Sequence, residues 1–160
     1  MDHILVMGIA GAGKTTLARA LADRLGIDFV DADDFHGDDA RTKMAAGIGL
    51  ADTDRLPWIA RIKAHLKASP TRVALACSAL KQAHRRTLGA TTWVYLEIEG
   101  DLAAQRLASR AGHFAGESLL ESQLLALETP TPSETGLLIN VSAAMTTDDQ
   151  IATIIGQLRR

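Results

Sequence analysis

The sequence predicts an α/β fold: a five-stranded parallel sheet with helices on both faces. Three observations carry this expectation. Five short apolar runs are continuous rather than alternating, as expected of strands buried on both sides. The segments between them repeat apolar residues at helical spacing. The two patterns alternate along the whole chain, which favours parallel pairing through crossovers. At 160 residues, one domain spanning 1–160 is expected.

The elements follow in order. Ile4–Met7 is an apolar run closed by Gly8 and reads as a buried strand. Leu17, Ala18, Leu21 and Leu25 fall on one face of a helix over Lys14–Leu25, stopped by Gly26. Ile27–Val30 is a second strand ending in Asp31. A polar, glycine-dotted stretch over Asp33–Asp54 holds a short helix around Asp39–Ala46. Trp58, Ile59, Ile62 and Leu66 mark an amphipathic helix that begins at Trp58 and stops before Ser69-Pro70. Arg72–Cys77 is the third strand, followed by a helix over Leu80–Leu88. Trp93–Ile98 is the fourth strand. Helices over Leu102–Arg110 and Glu117–Glu128 are separated by Ala111–Gly116. Leu137–Val141 and a helix over Asp148–Leu158 close the chain.

Composition narrows the function classes. Seventeen basic residues against 19 acids give a net charge of −2, so no global attraction to nucleic acid or an anionic membrane is expected. Any anion site must be built locally. One cysteine, Cys77, excludes an internal disulfide or a cysteine-based zinc site, and its apolar surroundings predict a buried thiol. No apolar run approaches the ~20 residues of a membrane span. The start, Met1-Asp2-His3, lacks a basic leader region, and a cytoplasmic enzyme is expected.

Gly8-Ile9-Ala10-Gly11-Ala12-Gly13-Lys14-Thr15 matches the phosphate-loop pattern G-x-x-x-x-G-K-[ST] at every specified position. Its glycines let backbone N–H groups turn toward phosphate oxygens, and the helix that starts there offers its positive end. Lys14 reaches the outer phosphates and the Thr15 hydroxyl can hold Mg²⁺. The third strand ends in Cys77-Ser78 without the acid many nucleotide hydrolases place there. The carboxylates follow the second strand instead, as Asp31 and Asp33, which alternation along an extended chain puts on one side. One can support a hydrated metal while the other accepts a proton from an attacking hydroxyl. An acidic turn or helix cap is the alternative reading of the same residues.

With these residues in view, the chain resembles the gluconokinase family, ATP:D-gluconate 6-phosphotransferases related to shikimate kinases. The resemblance rests on Asp31-Ala32-Asp33-Asp34-Phe35-His36, Lys43-Met44-Ala45-Ala46-Gly47, Leu50–Trp58, Cys77-Ser78-Ala79-Leu80-Lys81 with Arg85, Arg106 to Phe114, and Ser122-Gln123 to Glu128. The chain departs from the family pattern at Gly37, Ala40, Gly49 and His84, all in segments expected near the acceptor.

The resemblance implies a three-layer fold with sheet order 2-3-1-4-5, a homodimer, and a lid at about 106–130. It implies ATP and Mg²⁺ at Gly8, Ile9, Ala10, Gly11, Ala12, Gly13, Lys14, Thr15 and Thr16, with Asp31 near the metal and Asp33 as the base. Arg106 and Arg110, four residues apart on one helical face, are expected to reach ATP. For the sugar-acid carboxylate, Arg55, Lys81 and Arg85 are candidates, with Lys43 behind them. His36 and His113 are candidates for acceptor hydroxyls or lid positioning. Trp58 and Trp93 read as core anchors. Two other readings stay open: a kinase for another small hydroxy acid such as shikimate, and a nucleotide-binding regulatory module without turnover.

Overall fold

The computed structural model describes residues 2–110 and 113–160, with the side chains of 113–118 outside that description. Its strands are β1 (Ile4–Met7), β2 (Asp28–Asp31), β3 (Val73–Ala76), β4 (Thr92–Glu97) and β5 (Leu137–Ser142), all parallel, in the order β2-β3-β1-β4-β5. The helices are α1 (Lys14–Leu25), α2 (Asp38–Ala45), α3 (Asp52–Ala68), α4 (Gln82–Leu88), α5 (Gly100–Ala108), α6 (His113–Ala126) and α7 (Thr147–Leu158).

β1 is central, pairing Ile4 with Ala74 of β3 on one edge and with Thr92 of β4 on the other. Its four residues are fully buried. Successive side chains point to opposite faces of a strand, so β1 supplies two cores. Leu5 and Met7 pack with Ile59 and Ile62 of α3 and with Trp93. Ile4 and Val6 pack with Leu17 and Leu21 of α1 and with Ile151 and Ile154 of α7. Each such side chain contributes on the order of 1.5–3 kcal/mol by leaving water. A third, smaller cluster joins Ile9, Leu80, Ala103 and Leu120 and sets α5 and α6 against the loop after β1.

Three expectations about boundaries are corrected. Helix α3 starts at Asp52, not Trp58. Pro57 lies inside it, and the carbonyl it leaves without a donor belongs to Thr53, on the exposed first turn. The Asp54 carboxylate also accepts the Ala51 N–H (2.9 Å), fixing the earlier start. Helix α4 starts at Gln82, not Leu80, because Ala79 takes a left-handed conformation (φ 45°) that breaks the helical path. Helix α6 starts at His113, so the expected break over Ala111–Gly116 is narrower; Ala111 and Gly112 lie outside the described residues.

The carboxyl ends of β1, β2 and β3 lie side by side, with Asp31 in register with Ala76 and Val6 with Ala76 from the other side. Asp31, Cys77 and the loop that follows Gly8 therefore open onto one crevice, where ligands bind in open parallel sheets. No helix among the described residues is long and apolar enough to cross a membrane.

Candidate active site

The loop Gly8–Gly13 joins β1 to α1. Gly11 has φ 83°, and a Cβ there would lie 2.9 Å from the Ala103 carbonyl oxygen of α5, so only glycine allows this seating. From behind, Arg106 donates to the carbonyls of Gly11 and Ala12 (both 3.3 Å) and to that of Ala143 (2.7 Å). The N-cap Gly13 has no side chain to cap α1, so the first-turn N–H groups face the crevice at Lys14, Thr15 and Thr16. An uncapped helix start beside left-handed glycines fits a phosphate chain. Lys14 folds its Nζ onto the Ile9 carbonyl at 3.0 Å. Burial pulls its pKa down, with Asp33 the largest opposing influence.

Asp31 ends β2 and accepts two hydrogen bonds, from the Thr15 hydroxyl (2.7 Å) and from the Asp33 N–H (3.0 Å). The second makes Asp31 the cap of a 3₁₀ turn over Ala32–Phe35. Asp33 thus reaches the crevice from this turn, not by strand alternation as the sequence suggested. The residues come together as expected, for a different geometric reason. His36 Nε2 lies 3.6 Å from Asp33 Oδ1, and it is the largest influence holding the Asp33 carboxyl below its usual value, helped by Lys14 and Arg41 against burial.

A hydroxyl and a carboxylate in contact are hard oxygen donors of the kind Mg²⁺ takes. Among the described residues no group of three His, Cys, Asp or Glu side chains forms a metal cluster. The Thr15–Asp31 pair suits an ion that keeps waters and phosphate oxygens as its other ligands.

The other wall of this cleft of about 280 Å³ is formed by His36, Met44, Leu50, Arg55 and Trp58, over a floor of Ala76, Cys77 and Ser78. Trp58 donates its Nε1 to the Ala32 carbonyl (2.6 Å) and stacks on His36 with centroids 4.4 Å apart. His36 Nδ1 is buried with no partner among the described residues. Arg55 is 9% exposed, and no described residue accepts a hydrogen bond from its guanidinium. Its nearby acids, Asp52 and Asp54, are held by Lys81 (2.8 Å) and Lys43 (2.9 Å). A guanidinium that lines a cleft with no acceptor among the described residues favours an anionic ligand. Burial pushes the Cys77 thiol up to about 12, so it packs and does not react.

Several expected site residues lie elsewhere. Arg85 is fully buried, donating to Glu134 (2.8 Å) and to the carbonyls of Ala79 (3.1 Å) and Leu80 (3.0 Å), with its guanidinium over Trp93. Its bonds to Glu134 and to the turn at Ala79 hold it in the scaffold, and it is not among the residues lining the cleft. Lys43 and Lys81 sit outside the cleft lining, paired with Asp54 and Asp52. Arg106 and Arg110 separate: Arg110 lines the cleft, while Arg106 supports the loop from below. Gly8, Ile9 and Ala12 turn away from the cleft, Ile9 and Ala12 into apolar clusters. The His113 side chain is outside the described residues.

The sequence reading assigned no role to Gln123, Leu107, Met44 or Ser78, and gave Trp58 only a core role; all five line the cleft. For Gln123 the signal was its place in the Ser122-Gln123 motif. Gly49 has a packing reason: a Cβ there would run into the Ser122 side chain of α6.

Comparison with known proteins agrees with this geometry. Residues 10–158 match the shikimate kinase family. A gluconokinase of Gluconobacter oxydans is 40% identical over 82% of this chain and 78% of its own length. A gluconokinase of Escherichia coli is 37% identical over 83% of this chain and 75% of its own length. A solved gluconokinase from Sinorhizobium meliloti superposes with TM-score 0.87 at 35% identity, covering 99% of this chain and 92% of that one.

The buried Arg85–Glu134 pair yields a stability prediction. Glu134→Ala leaves the guanidinium without its carboxylate and should cost about 3–5 kcal/mol in chemical denaturation, with strong coupling to Arg85→Ala in a double-mutant cycle. Additive losses would show that the two do not act as a unit.

Proposed function

The chain belongs to the gluconokinase family, within the wider shikimate kinase group, and we propose that it transfers the terminal phosphoryl group of ATP to the 6-hydroxyl of D-gluconate, giving 6-phospho-D-gluconate and ADP. One observation carries the acceptor assignment. Arg55, whose guanidinium has no hydrogen-bond acceptor among the described residues, lines the same cleft as the phosphate loop, Asp33 and His36. A polyhydroxy carboxylate fits that wall: the carboxylate pairs with Arg55, and hydroxyls meet His36 and Asp33. None of the four departures from the family pattern, Gly37, Ala40, Gly49 and His84, is among the residues lining the cleft.

The chain's own residues divide the work. The loop N–H groups other than that of Ala10, together with Lys14, hold the phosphates, and Arg110 adds charge from the lid side. Thr15 and Asp31 would hold Mg²⁺, which when bound neutralises charge on the outer phosphates. Asp33, kept ionised by its depressed pKa, accepts the proton of the attacking hydroxyl. The acceptor oxygen bonds to phosphorus as the bond from phosphorus to the bridging oxygen of ADP breaks. Leu107, Leu119 and Trp58 line the cleft with apolar surface, which limits water as a competing acceptor. A homodimer, implied by the family resemblance, and a cytoplasmic setting complete the proposal.

Arg55→Gln keeps a polar side chain and removes the charge. It should raise KM for gluconate about 10-fold or more, leave KM for ATP within about 3-fold, and leave folding stability near wild type. An unchanged gluconate KM would remove Arg55 from the acceptor site.

The pH dependence has a definite sign. A carboxyl whose pKa lies below the usual 3.8 stays ionised as pH falls, until the depressed value is reached. Hence kcat/KM should show no acid limb from Asp33 between about pH 5 and 7. His36→Asn removes the largest cause of the depression and should move the Asp33 limb upward. A wild-type limb near pH 6 that persists in His36→Asn would contradict this account of Asp33.

A further inference from the structure

The loop N–H of Ala10 donates to Gln123 Oε1 of α6 at 2.6 Å. A backbone N–H can only donate, so the contact fixes which way the amide faces: oxygen toward the loop, Nε2 away from it. Both hydrogens on Nε2 remain available, and no described residue accepts them. Gln123 lines the same cleft as Lys14, Asp33 and Arg110. Its backbone is held on either side. Leu120, one turn earlier, is buried against Ile9. Glu128 ties the following segment to the turn after β3, accepting the Gln82 N–H (2.7 Å) and donating its own N–H to the Leu80 carbonyl (2.9 Å). The amide is therefore a preorganised donor at the loop residue between Ile9, whose carbonyl takes Lys14, and Gly11.

We propose that Gln123 is a further catalytic residue, donating from Nε2 to an oxygen of the transferring phosphoryl group while its Oε1 stays on the Ala10 N–H. This rests on the reading of the cleft as an ATP site. It makes α6 sensitive to the number of phosphates: ADP leaves the donor without a partner, and ATP engages it. The loop contact alone would make Gln123 a brace; the freed amide gives it a second partner.

Two near-isosteric variants separate these roles. Gln123→Glu keeps an acceptor for Ala10 and loses the donor, whereas Gln123→Met loses both without adding charge. Calorimetry with Mg²⁺ compares ADP with β,γ-imido-ATP for wild type and both variants, after thermal unfolding confirms that they are folded. Both variants should weaken the imido analogue about 10-fold or more relative to ADP, with ADP within about 3-fold of wild type. If Gln123→Glu keeps the wild-type ratio, the residue is only a brace; if Gln123→Met keeps it, charge alone caused the loss. Either result overturns the proposal, as does an equal weakening of both nucleotides. A wild type that binds neither nucleotide overturns the nucleotide reading and this inference together. One that binds both but fails to phosphorylate gluconate overturns only the acceptor assignment, because the ratio still decides the role of Gln123.

Discussion

A strand with no exposed face fixes the position of everything in the cleft. Ile4–Met7 is paired on both edges and packed on both sides, so its carboxyl end cannot move without disturbing two cores. The phosphate loop leaves from that end. Its shape is then held from below by Arg106 and from the α5 side by the close approach of Gly11 to Ala103. A loop that must present several N–H groups at once needs such support, because each degree of freedom left in it would have to be lost on binding. The acids of β2 and its 3₁₀ turn are placed against this fixed point through the Thr15–Asp31 contact.

The arginines show how one residue type is divided between structure and ligand. Arg85 is fully buried, yet its guanidinium is matched by a carboxylate and two carbonyls, so it stabilises a left-handed turn away from the cleft. Arg106 uses three carbonyls in the same way. Arg55 is largely buried but has no such set among the described residues, and it lines the cleft, where an anion would pair with it. Burial alone therefore says little; the partner inventory separates scaffold from site.

Much of this was legible in the sequence. The order of strands and helices follows from continuous apolar runs and helical periodicity, and β1 and α1 end where Gly8 and Gly26 predict. The loop was legible because its chemistry lies in the backbone, which a short motif determines locally. Misreadings arose where a residue's partner is distant in sequence. Arg85 looks like a free charge until Glu134, 49 residues on, is seen beside it. Arg106 looked like a lid residue because its partners, at Gly11 and Ala143, are backbone atoms that no side-chain pattern announces. Pro57 hid the start of α3, since a proline within the opening turns of a helix is locally indistinguishable from a boundary. Gln123 carried a motif signal without a mechanism until its contact with Ala10 supplied one.

The central claim is that this cleft passes a phosphoryl group from ATP to a polyhydroxy acid held by Arg55. Its most direct test is ADP release by the purified protein with Mg²⁺ and ATP, measured with D-gluconate, with shikimate, and with no acceptor. The account predicts release with gluconate at least about 10-fold above the other two conditions. Equal release in all three, or release driven by shikimate alone, would contradict it.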